Sequence, residues 1–323
     1  MRLQYNLLWC LCDGKFHSGE MLAKQLGVTR TAVWKSLKSI QRVFNLRIDA
    51  VHGRGYRLVH PIELLDATKI RYAVQDKNQV SDIQVFLSID STNRYLLKMA
   101  AACDSHGLLV FAEHQTAGKG RLGRAWVSPF GGNLYFSLLW RFKSIPNTMS
   151  GLGLAIGVAI TRVLHKFAVP DVQLKWPNDI LCQGRKLCGI LIEMQGEMSG
   201  PAAVVVGVGL NVKMSVEDAV AIEQAWIDLE RVGVTGISRN KLAAALIDEI
   251  ISVLRIFEEH GLQPFLTEWR SLDHYKDQPV TLHTAEQKIS GIARGIDDNG
   301  AFLVEEQQQL RRFYSGDVRI GEG

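Results

Sequence analysis

The sequence predicts a multidomain α+β protein with a small helical head, a mixed α/β body and a tail of short β-strands. Three observations support this prediction. The first 60 residues carry a helical pattern and an excess of basic charge, the middle of the chain alternates strand and helix patterns, and short strand patterns follow from about residue 273. A chain of 323 residues also exceeds the usual size of one hydrophobic core, so two or three domains are expected.

The head has the pattern of three helices. A first helix is expected from Arg2 to Cys12, and Ser18 is a suitable N-cap for a second helix that Gly27 ends. Thr29 then caps a third helix, whose inward face is predicted to carry apolar residues at helical spacing, namely Val33, Leu37, Ile40 and Phe44. Two helices joined by a tight turn predict a helix-turn-helix unit.

Two short strands and a strong positive charge complete the head. Leu46–Val51 and Tyr56–Leu58 are predicted strands joined by a glycine-containing basic turn, which is typical of a wing. Residues 1–60 contain ten lysine or arginine residues against three acidic ones, whereas the rest of the chain contains 27 against 30. This charge favours DNA as a partner, and the candidate contacts are Thr29, Arg30, Thr31, Lys35, Lys38 and Arg54. A helical domain with a solvated basic face is the alternative.

A glycine-rich basic loop in the body is the strongest signal for a ligand site. It has the sequence EHQTAGKGRLGRAW at residues 113–126 and follows an apolar predicted strand, Leu108–Ala112. Glycines let backbone N–H groups approach a ligand closely, while Lys119, Arg121 and Arg124 supply cationic donors suited to phosphate oxygens. The loop therefore predicts an anion site.

Two other interpretations of this loop were weighed. Gly118, Gly120 and Gly123 match the spacing of a dinucleotide-binding fingerprint, but Pro129 follows where a helix should begin, so a Rossmann fold is excluded. A solvated surface loop is the second alternative, because charge runs are usually exposed. Three close glycines between basic residues favour the anion site.

Two further motifs of the body could contact a ligand. The polar quartet at Asp90–Asn93 lies between a predicted strand, Ile83–Ile89, and a predicted helix, Tyr95–Ala101, so its side chains could cap that helix or bind a polar ligand. A second motif, KWPND at Lys175–Asp179, precedes a predicted hairpin. Lys175, Asp179 and Lys186 place charges beside an apolar strand, and because lysine is rarely buried without a partner, a functional lysine is expected here.

The remaining elements are predicted from periodicity. Ser150 is expected to cap an apolar helix that runs to Phe167, and Lys241–Phe257 is expected to form a long amphipathic helix. Val204–Val212 is a predicted buried strand whose glycines mark the close approach of a backbone or ligand. The tail predicts a small β-barrel with strands at Val280–His283, Ile289–Ile296, Phe302–Glu305 and Arg312–Tyr314.

Composition argues against several other classes. No apolar run approaches the roughly 20 residues of a membrane span, and the N-terminus lacks a secretory pattern, so a cytoplasmic protein without membrane contact is expected. The five cysteines are scattered and predict neither a disulfide framework nor a metal site. No nucleophile constellation is evident, whereas backbone donors, cations and a lysine suit the adenylation of a carboxylic acid by ATP.

Five motifs of the body resemble those of the biotin protein ligases. They are DSTN at Asp90–Asn93, GKGRLGRAW at Gly118–Trp126, KWPNDI at Lys175–Ile180, RKLCGILIE at Arg185–Glu193 and GVGLNV at Gly207–Val212. The resemblance covers essentially the full chain and points to the bifunctional members, which also repress biotin synthesis genes. It implies a winged helix-turn-helix domain at residues 1–62, a catalytic domain of the biotin/lipoate ligase type at residues 63–271 and an SH3-like domain at residues 272–323.

The resemblance also implies roles for individual residues. Lys186 would lie at the biotin carboxyl group and the α-phosphate, and Arg121 would act with it as a catalytic cation. The other residues implied to contact biotin or its activated carboxylate are Ser91, Thr92, Asn93, Gln115, Lys119 and Gly120. Those implied to contact the nucleotide are Arg124, Trp126, Lys175, Asn178, Asp179, Asn211 and Trp226.

The loop departs from the family pattern at two positions. Lys119 and Leu122 stand where arginines are common in the family. Lysine keeps the charge but loses the bidentate fork of arginine, so weaker binding of biotin or adenylate is expected. Leu122 is expected to point away from the ligand.

The resemblance implies substrates, a cofactor and partners as well. Biotin and ATP, with magnesium, would give biotinyl-5′-AMP and pyrophosphate, and a lysine of the biotin carboxyl carrier protein would then attack the mixed anhydride. With biotinyl-5′-AMP as corepressor, the protein would dimerise and bind operator DNA of biotin synthesis genes. A lipoate or octanoate ligase and a biotin-sensing regulator without ligase activity are the alternatives.

Overall fold

The computed structural model describes residues 2–143, 149, 151–195, 203–284 and 286–321. Its helices, in chain order, are α1 Arg2–Leu11, α2 Gly19–Leu26, α3 Arg30–Phe44, α4 Ala67–Ala73, α5 Thr92–Ala102, α6 Leu152–Lys166, α7 Arg239–His260 and α8 Leu266–Ser271. Its strands are β1 Ile48–Val51, β2 Gly55–Leu58, β3 Asp82–Phe86, β4 Leu108–Ala112, β5 Leu134–Arg141, β6 Val172–Lys175, β7 Asp179–Cys182, β8 Arg185–Gln195, β9 Ala203–Leu210, β10 Pro279–His283, β11 Lys288–Ile296, β12 Phe302–Glu306, β13 Gln309–Phe313 and β14 Asp317–Ile320.

The head is a winged helix-turn-helix, as the sequence predicts. Ser18 caps α2 by accepting a hydrogen bond from the Met21 N–H, and Thr29 caps α3 by accepting one from the Ala32 N–H. Gly27 ends α2 with φ = 64°, a left-handed conformation that glycine adopts without steric cost. The predicted inward residues of α3 are all buried, and β1 pairs with β2 as an antiparallel wing.

The body is built on a seven-stranded sheet in the order β3-β4-β5-β9-β8-β7-β6. Its strands are antiparallel except for the neighbouring pair β3 and β4. Because a Rossmann fold requires a parallel sheet, this topology confirms that the glycine spacing is not a dinucleotide fingerprint. Helices α6 and α7 pack on one face of the sheet in the main hydrophobic core, and α5 covers part of the other face through Leu96.

The tail is a five-stranded antiparallel sheet in the order β13-β12-β11-β10-β14. The register between β11 and β12 shifts between Ala293 and Ile296, and such an irregularity increases local twist. The tail joins the core of the body, where the Trp176 ring stacks on Phe302 at 5.2 Å and the Trp176 Nε1–H donates to Gly300 O at 3.1 Å.

The head also packs against the body. The Phe44 ring, at the end of α3, lies 4.4 Å from Phe130 and 5.8 Å from His114, measured between ring centres. Asn45 follows with φ = 54° and donates from Nδ2 to Asp218 Oδ1 at 3.1 Å. Helix α3, the predicted DNA-recognition helix, is therefore held at its C-terminal end by side chains of the body, one of which belongs to the glycine-rich loop.

A buried ion pair fixes the segment that leaves the head. Arg239 Nη2 lies 2.9 Å from Glu113 Oε2, and the two side chains are 5% and 1% exposed. Glu113 also accepts a hydrogen bond from the Leu65 N–H, and Arg239 donates to the Glu63 carbonyl and to Asn133 O. The pair thus joins four parts of the chain: the connector (His60–Asp66, the segment between head and body), the start of the glycine-rich loop, the residue before β5 and the N-terminus of α7.

Several details differ from the sequence-based expectations. The strand predicted over Ile83–Ile89 ends at Phe86, because the chain bends at residues 87–88; the parallel pairing with the β4 segment resumes in the same register at Ile89 and Gln115. The short helix α4 and the fifth tail strand, β14, were not predicted. Ser150, the predicted cap of α6, lies outside the described residues. Among those residues, no helix is both long and apolar enough to cross a bilayer.

Asp273 generates a prediction for the pH dependence of stability. It lies between α8 and the tail, where Oδ1 accepts a hydrogen bond from the Tyr275 N–H and the buried Oδ2 has no partner among the described residues. Burial raises the pKa of Asp273 to about 6. Since the folded state then binds this proton more tightly than the unfolded state, stability should fall as pH rises from about 4 to about 6, and the penalty should persist above that range.

We therefore expect Asp273→Asn to stabilise the protein at pH 7 by about 1–3 kcal/mol and to have little effect at pH 4. Thermal unfolding at a series of pH values measures the difference. The matched control is Asp298→Asn, because Asp298 is an exposed carboxylate of the tail that is paired with Arg270 and does not contribute to the pKa shift of Asp273. A gain for Asp273→Asn that is equal at pH 4 and pH 7 would contradict the prediction.

Candidate active site

One cavity of about 780 Å³ opens beside the central sheet, and its walls come from the glycine-rich loop, the β7–β8 hairpin and the tail. A volume of this size suits a small organic ligand. Every ligand-site residue predicted from the sequence lines it, namely Ser91, Thr92, Asn93, Gln115, Lys119, Gly120, Arg121, Arg124, Trp126, Lys175, Asn178, Asp179, Lys186, Asn211 and Trp226. Motifs that are far apart in the chain therefore form one site.

The glycine-rich loop is a narrow hairpin over this cavity. The Gly120 N–H donates to Arg124 O at 2.7 Å, and the Trp126 N–H donates to Gly118 O at 2.9 Å. At the tip, Leu122 lines the rim of the cavity with φ = 55° and is 75% exposed. Leu122 thus faces mainly solvent, and part of it still lines the cavity.

Two glycines on neighbouring strands form a floor on which the Trp126 indole rests. Gly189 of β8 pairs with Gly209 of β9. A Cβ atom at Gly209 would lie 2.4 Å from the indole, and one at Gly189 would lie 2.8 Å from it. The glycines of β9 are expected to mark the close approach of a backbone or ligand, and the group that approaches them is the Trp126 side chain. Their lack of side chains lets the loop lie flat against the sheet.

The turn at Asn178 and Asp179 holds two cations inside the cavity. Lys186 Nζ lies 2.8 Å from Asp179 Oδ1, with 16% and 12% of the two side chains exposed. Arg121 Nη1 donates to Asn178 Oδ1 at 3.3 Å. Asp179 is thus the acidic partner that a largely buried lysine such as Lys186 needs. Arg121, from the glycine-rich loop, is a second cation at the same turn.

The polar quartet after β3 is bound mainly to the protein. Ser91 caps α5, while the Thr92 N–H donates to Gln115 Oε1 at 2.9 Å. Asn93 is 4% exposed, accepts a hydrogen bond from Ser137 at 2.5 Å and donates to Glu193 Oε2 at 2.8 Å. Capping explains Ser91, and a buried hydrogen-bond network explains Thr92 and Asn93.

The predicted nucleotide side of the cavity also contains residues with structural roles. Asn211 is buried and donates to Ile227 O at 3.1 Å, so its amide joins β9 to the segment that carries Trp226. The Trp226 backbone pairs with Lys186, and the Arg231 guanidinium lies 4.3 Å from the centre of the Trp226 ring. This contact orients the Trp226 ring at the cavity.

The tail contributes residues that no local sequence signal indicated. Asp317 and Arg319 line the cavity, and Arg124 Nη2 lies 2.8 Å from Asp317 Oδ2. Burial alone would raise the pKa of Asp317, but the hydrogen bond and positive charge of Arg124 outweigh burial and hold this pKa below its usual range. The carboxylate thus ties the glycine-rich loop to the tail.

Lys175 is the cavity lysine most affected by burial. Burial lowers its pKa, although the negative charges of Asp179 and Asp317 oppose the shift. Its ammonium lies 5.7 Å from the centre of the Tyr275 ring, and it forms no ion pair with any described residue. Lys175 is therefore a cation that an anionic ligand could neutralise.

A separate surface carries the candidate DNA contacts of the head. Arg30, Thr31, Lys35 and Lys38 are exposed on α3, whereas the Thr29 hydroxyl oxygen is used as the helix cap. In the wing, the Arg54 guanidinium lies 4.2 Å from the centre of the Phe16 ring. Stacking on a ring limits the freedom of Arg54 while leaving its donors available.

The glycine floor generates a second prediction. Gly209→Ala should displace the Trp126 indole and loosen the loop, so trypsin should cut after Lys119, Arg121 or Arg124 several-fold faster. Limited proteolysis followed by mass spectrometry measures this rate. Gly153→Ala is the matched control, because a Cβ there meets its nearest neighbour at an ordinary 3.6 Å. Equal cleavage of Gly209→Ala and the wild type would contradict the role of the floor.

Comparison with known proteins agrees with this arrangement. The biotin/lipoate A/B protein ligase family model matches residues 85–211, a helix-turn-helix domain model matches residues 3–57, and the biotin protein ligase C-terminal domain model matches residues 277–321. The chain is similar in fold to the solved biotin protein ligase from Aquifex aeolicus in complex with biotin and ATP. That structure has 27% identity and a TM-score of 0.66, and the match covers 75% of this chain and all of that one.

Curated relatives extend the similarity to the head. The bifunctional ligase/repressor BirA of Salmonella typhimurium is 41% identical over 98% of this chain and 96% of its own length. The biotin–[acetyl-CoA-carboxylase] ligase of Mycobacterium tuberculosis is 34% identical over 73% of this chain and 88% of its own length. With the three matched domains in the same order, the chain belongs to the biotin protein ligase family, among its bifunctional ligase/repressor members.

Proposed function

We propose that this protein joins biotin to a lysine of a biotin carboxyl carrier protein and represses biotin synthesis genes. The observation that carries the ligase proposal is the pair of cations, Lys186 and Arg121, held at the Asn178–Asp179 turn inside one cavity. Adenylation of a carboxylate needs positive groups beside a phosphate, and it needs no protein nucleophile. Family membership names the acid as biotin.

The first step forms biotinyl-5′-AMP. A biotin carboxylate oxygen bonds to the α-phosphorus of ATP as the bond to pyrophosphate breaks. Lys186 and Arg121 would stabilise the negative charge that develops on the α-phosphate, where fixed cations act with little reorganisation. Biotin would contact the other predicted residues of the inner cavity, which are Ser91, Thr92, Asn93, Gln115, Lys119 and Gly120.

The nucleotide would occupy the part of the cavity that reaches the tail. Its assigned contacts are Arg124, Trp126, Lys175, Asn178, Asp179, Asn211 and Trp226, and Trp226 would stack on adenine. Asp179 and Asp317 already face cations, so magnesium would enter mainly on ATP phosphate oxygens and water rather than in a protein cage. When bound, it would neutralise phosphate charge.

The second step is aminolysis by the carrier lysine, which attacks the acyl carbon and releases AMP. Until then the mixed anhydride needs protection from water. The hairpin of the glycine-rich loop covers the cavity, and its ordering over the adenylate would supply this protection.

The protein would act in the cytoplasm. When biotinyl-5′-AMP is bound, it would form a homodimer, and the two heads of the dimer would bind operator DNA. The exposed cations of α3 and the wing support DNA binding. The glycine-rich loop is the proposed dimer surface. Residues 207–214, a second candidate from the sequence, do not suit this role, because they lie in or just after the central strand β9 and are buried except for Gly209 and Lys213. We place the domain boundaries at residues 1–62, 63–271 and 272–323.

The first experiment identifies the acid. The purified protein is incubated with ATP, magnesium and an equimolar mixture of biotin and lipoate, and its bound products are analysed by mass spectrometry. We expect biotinyl-5′-AMP, which then passes to a lysine of an added carrier domain. A lipoyl adduct would make the protein a lipoate ligase, and no adenylate would make it a regulator without ligase activity.

A second experiment tests Lys186. Because its ammonium would act where charge develops, Lys186→Gln should slow adenylate formation by about 100-fold or more. Transfer from supplied biotinyl-5′-AMP to a carrier domain should fall much less. Lys166→Gln is the control, since Lys166 is an exposed lysine paired with Glu249 on the helical face of the body. Equal losses in both steps would indicate a structural role.

A further inference from the structure

Trp34 lies on the outer face of the recognition helix α3. Its side chain is 49% exposed, while Val33 and Leu37 beside it are buried in the core of the head. Tryptophan has a large apolar surface, so leaving half of it in water forgoes the stabilisation that burial would give. No described residue forms a ring or cation contact with it.

The position of Trp34 places it at the centre of the basic face. Arg30 precedes it by four residues and Lys38 follows it by four, which is about one turn of helix on either side. All three side chains are exposed, and neither Arg30 nor Lys38 forms an ion pair with a described residue. Trp34 therefore stands between two cations that are free to contact phosphates.

Two polar side chains at the C-terminal end of α3 are already bonded within the protein. Gln41 donates to Ile48 O at 3.1 Å, and Asn45, the residue after the helix, donates to Asp218. Contacts from lysine and arginine to phosphates position a protein but do not report the sequence. In the N-terminal half of α3, the uncharged exposed side chains are Thr31, in the first turn, and Trp34, while Ser36 is half-buried.

An indole in the major groove has a defined chemical preference. Thymine presents a C5 methyl group there, which favours apolar contact, and O4 beside it accepts a hydrogen bond. The indole supplies a flat apolar surface and one N–H donor. The C-terminal end of α3 is packed against Phe130, so the half that carries Trp34 is the half able to enter the groove.

We propose that Trp34 determines operator specificity by packing against thymine methyl groups in the major groove. This inference rests on the DNA-binding function proposed above. It assigns sequence selection to an apolar contact at the centre of the face, and general affinity to the cations around it.

The test uses the full-length protein with biotin, ATP and magnesium. Duplexes are first selected from a random library by the wild-type protein, and each thymine of the selected duplex is then replaced by uracil, which lacks only the methyl group. Affinities are measured for this series and for a shuffled duplex over a range of salt concentrations. The variants are Trp34→Ala, Trp34→Phe, Trp34→Gln and, as an exposed aromatic control on the body, Tyr72→Ala.

For the wild type, we expect uracil at one or more positions to weaken binding by about 3- to 10-fold. Trp34→Ala and Trp34→Gln should weaken binding to the selected duplex by about 10-fold and lose sensitivity to uracil at those positions. Their affinity for the shuffled duplex and its salt dependence should not change, because the phosphate contacts remain. Trp34→Phe should recover part of the loss, and Tyr72→Ala should match the wild type.

Three outcomes would overturn the inference. Trp34→Ala could retain the affinity and uracil sensitivity of the wild type, or it could lose binding to both duplexes equally. It could instead change only the oligomeric state in sedimentation, which would make Trp34 a protein contact. If the wild type selects no sequence, the repressor function itself fails. Unchanged thermal unfolding and ligation by the same variants separate these outcomes from misfolding.

Discussion

The buried pair of Glu113 and Arg239 is the interaction on which the arrangement of this protein depends. Two charges removed from water are costly unless each is paired and its remaining hydrogen-bonding groups are satisfied. Here the other partners are backbone groups of the connector and of Asn133, just before β5, so satisfying the charges fixes the course of the chain. Loss of either charge would leave the other buried and unpaired.

This ion pair also fixes one end of the glycine-rich loop, because Glu113 is the first residue of that loop. The other end is set by Trp126, which lies on a floor made flat by Gly189 and Gly209. Between these anchors, Arg121 reaches Asn178 and Arg124 reaches Asp317. A loop rich in glycine and positive charge is thus held over the cavity by contacts to the sheet, a hairpin and the tail.

Much of the fold could be predicted from the sequence, because the interactions that start and end its helices involve residues only a few positions apart. Ser18, Gly27 and Thr29 set the ends of helices in the head, where each acts on backbone groups of its own turn. The same is true of the strands, although the pairing of β3 with β4 is interrupted after Phe86 and resumes in the same register at Ile89 and Gln115. Where the pairing with a distant strand is interrupted, the local sequence does not show the boundary.

The site was predicted less completely for the same reason. The motifs identified its wall, but Asp317 and Arg319 reach it from the tail, and nothing in their local sequence signals a cavity. The glycines of β9 indicated a close approach without identifying Trp126 as the group that approaches. Asn93 and Asn211 lie in motifs that indicate ligand contact, yet their amides are used largely by the protein.

The packing of Phe44 against Phe130 has a consequence for the geometry of any operator. A head joined to the body by a flexible linker could adjust to half-sites at several separations. Here, both the connector and the end of α3 are fixed to the body. In a symmetric dimer, the distance between two recognition helices would then be a rigid property of the assembly. The protein would therefore bind only half-sites at one separation, because base pairs added between them would rotate one half-site away from its recognition helix.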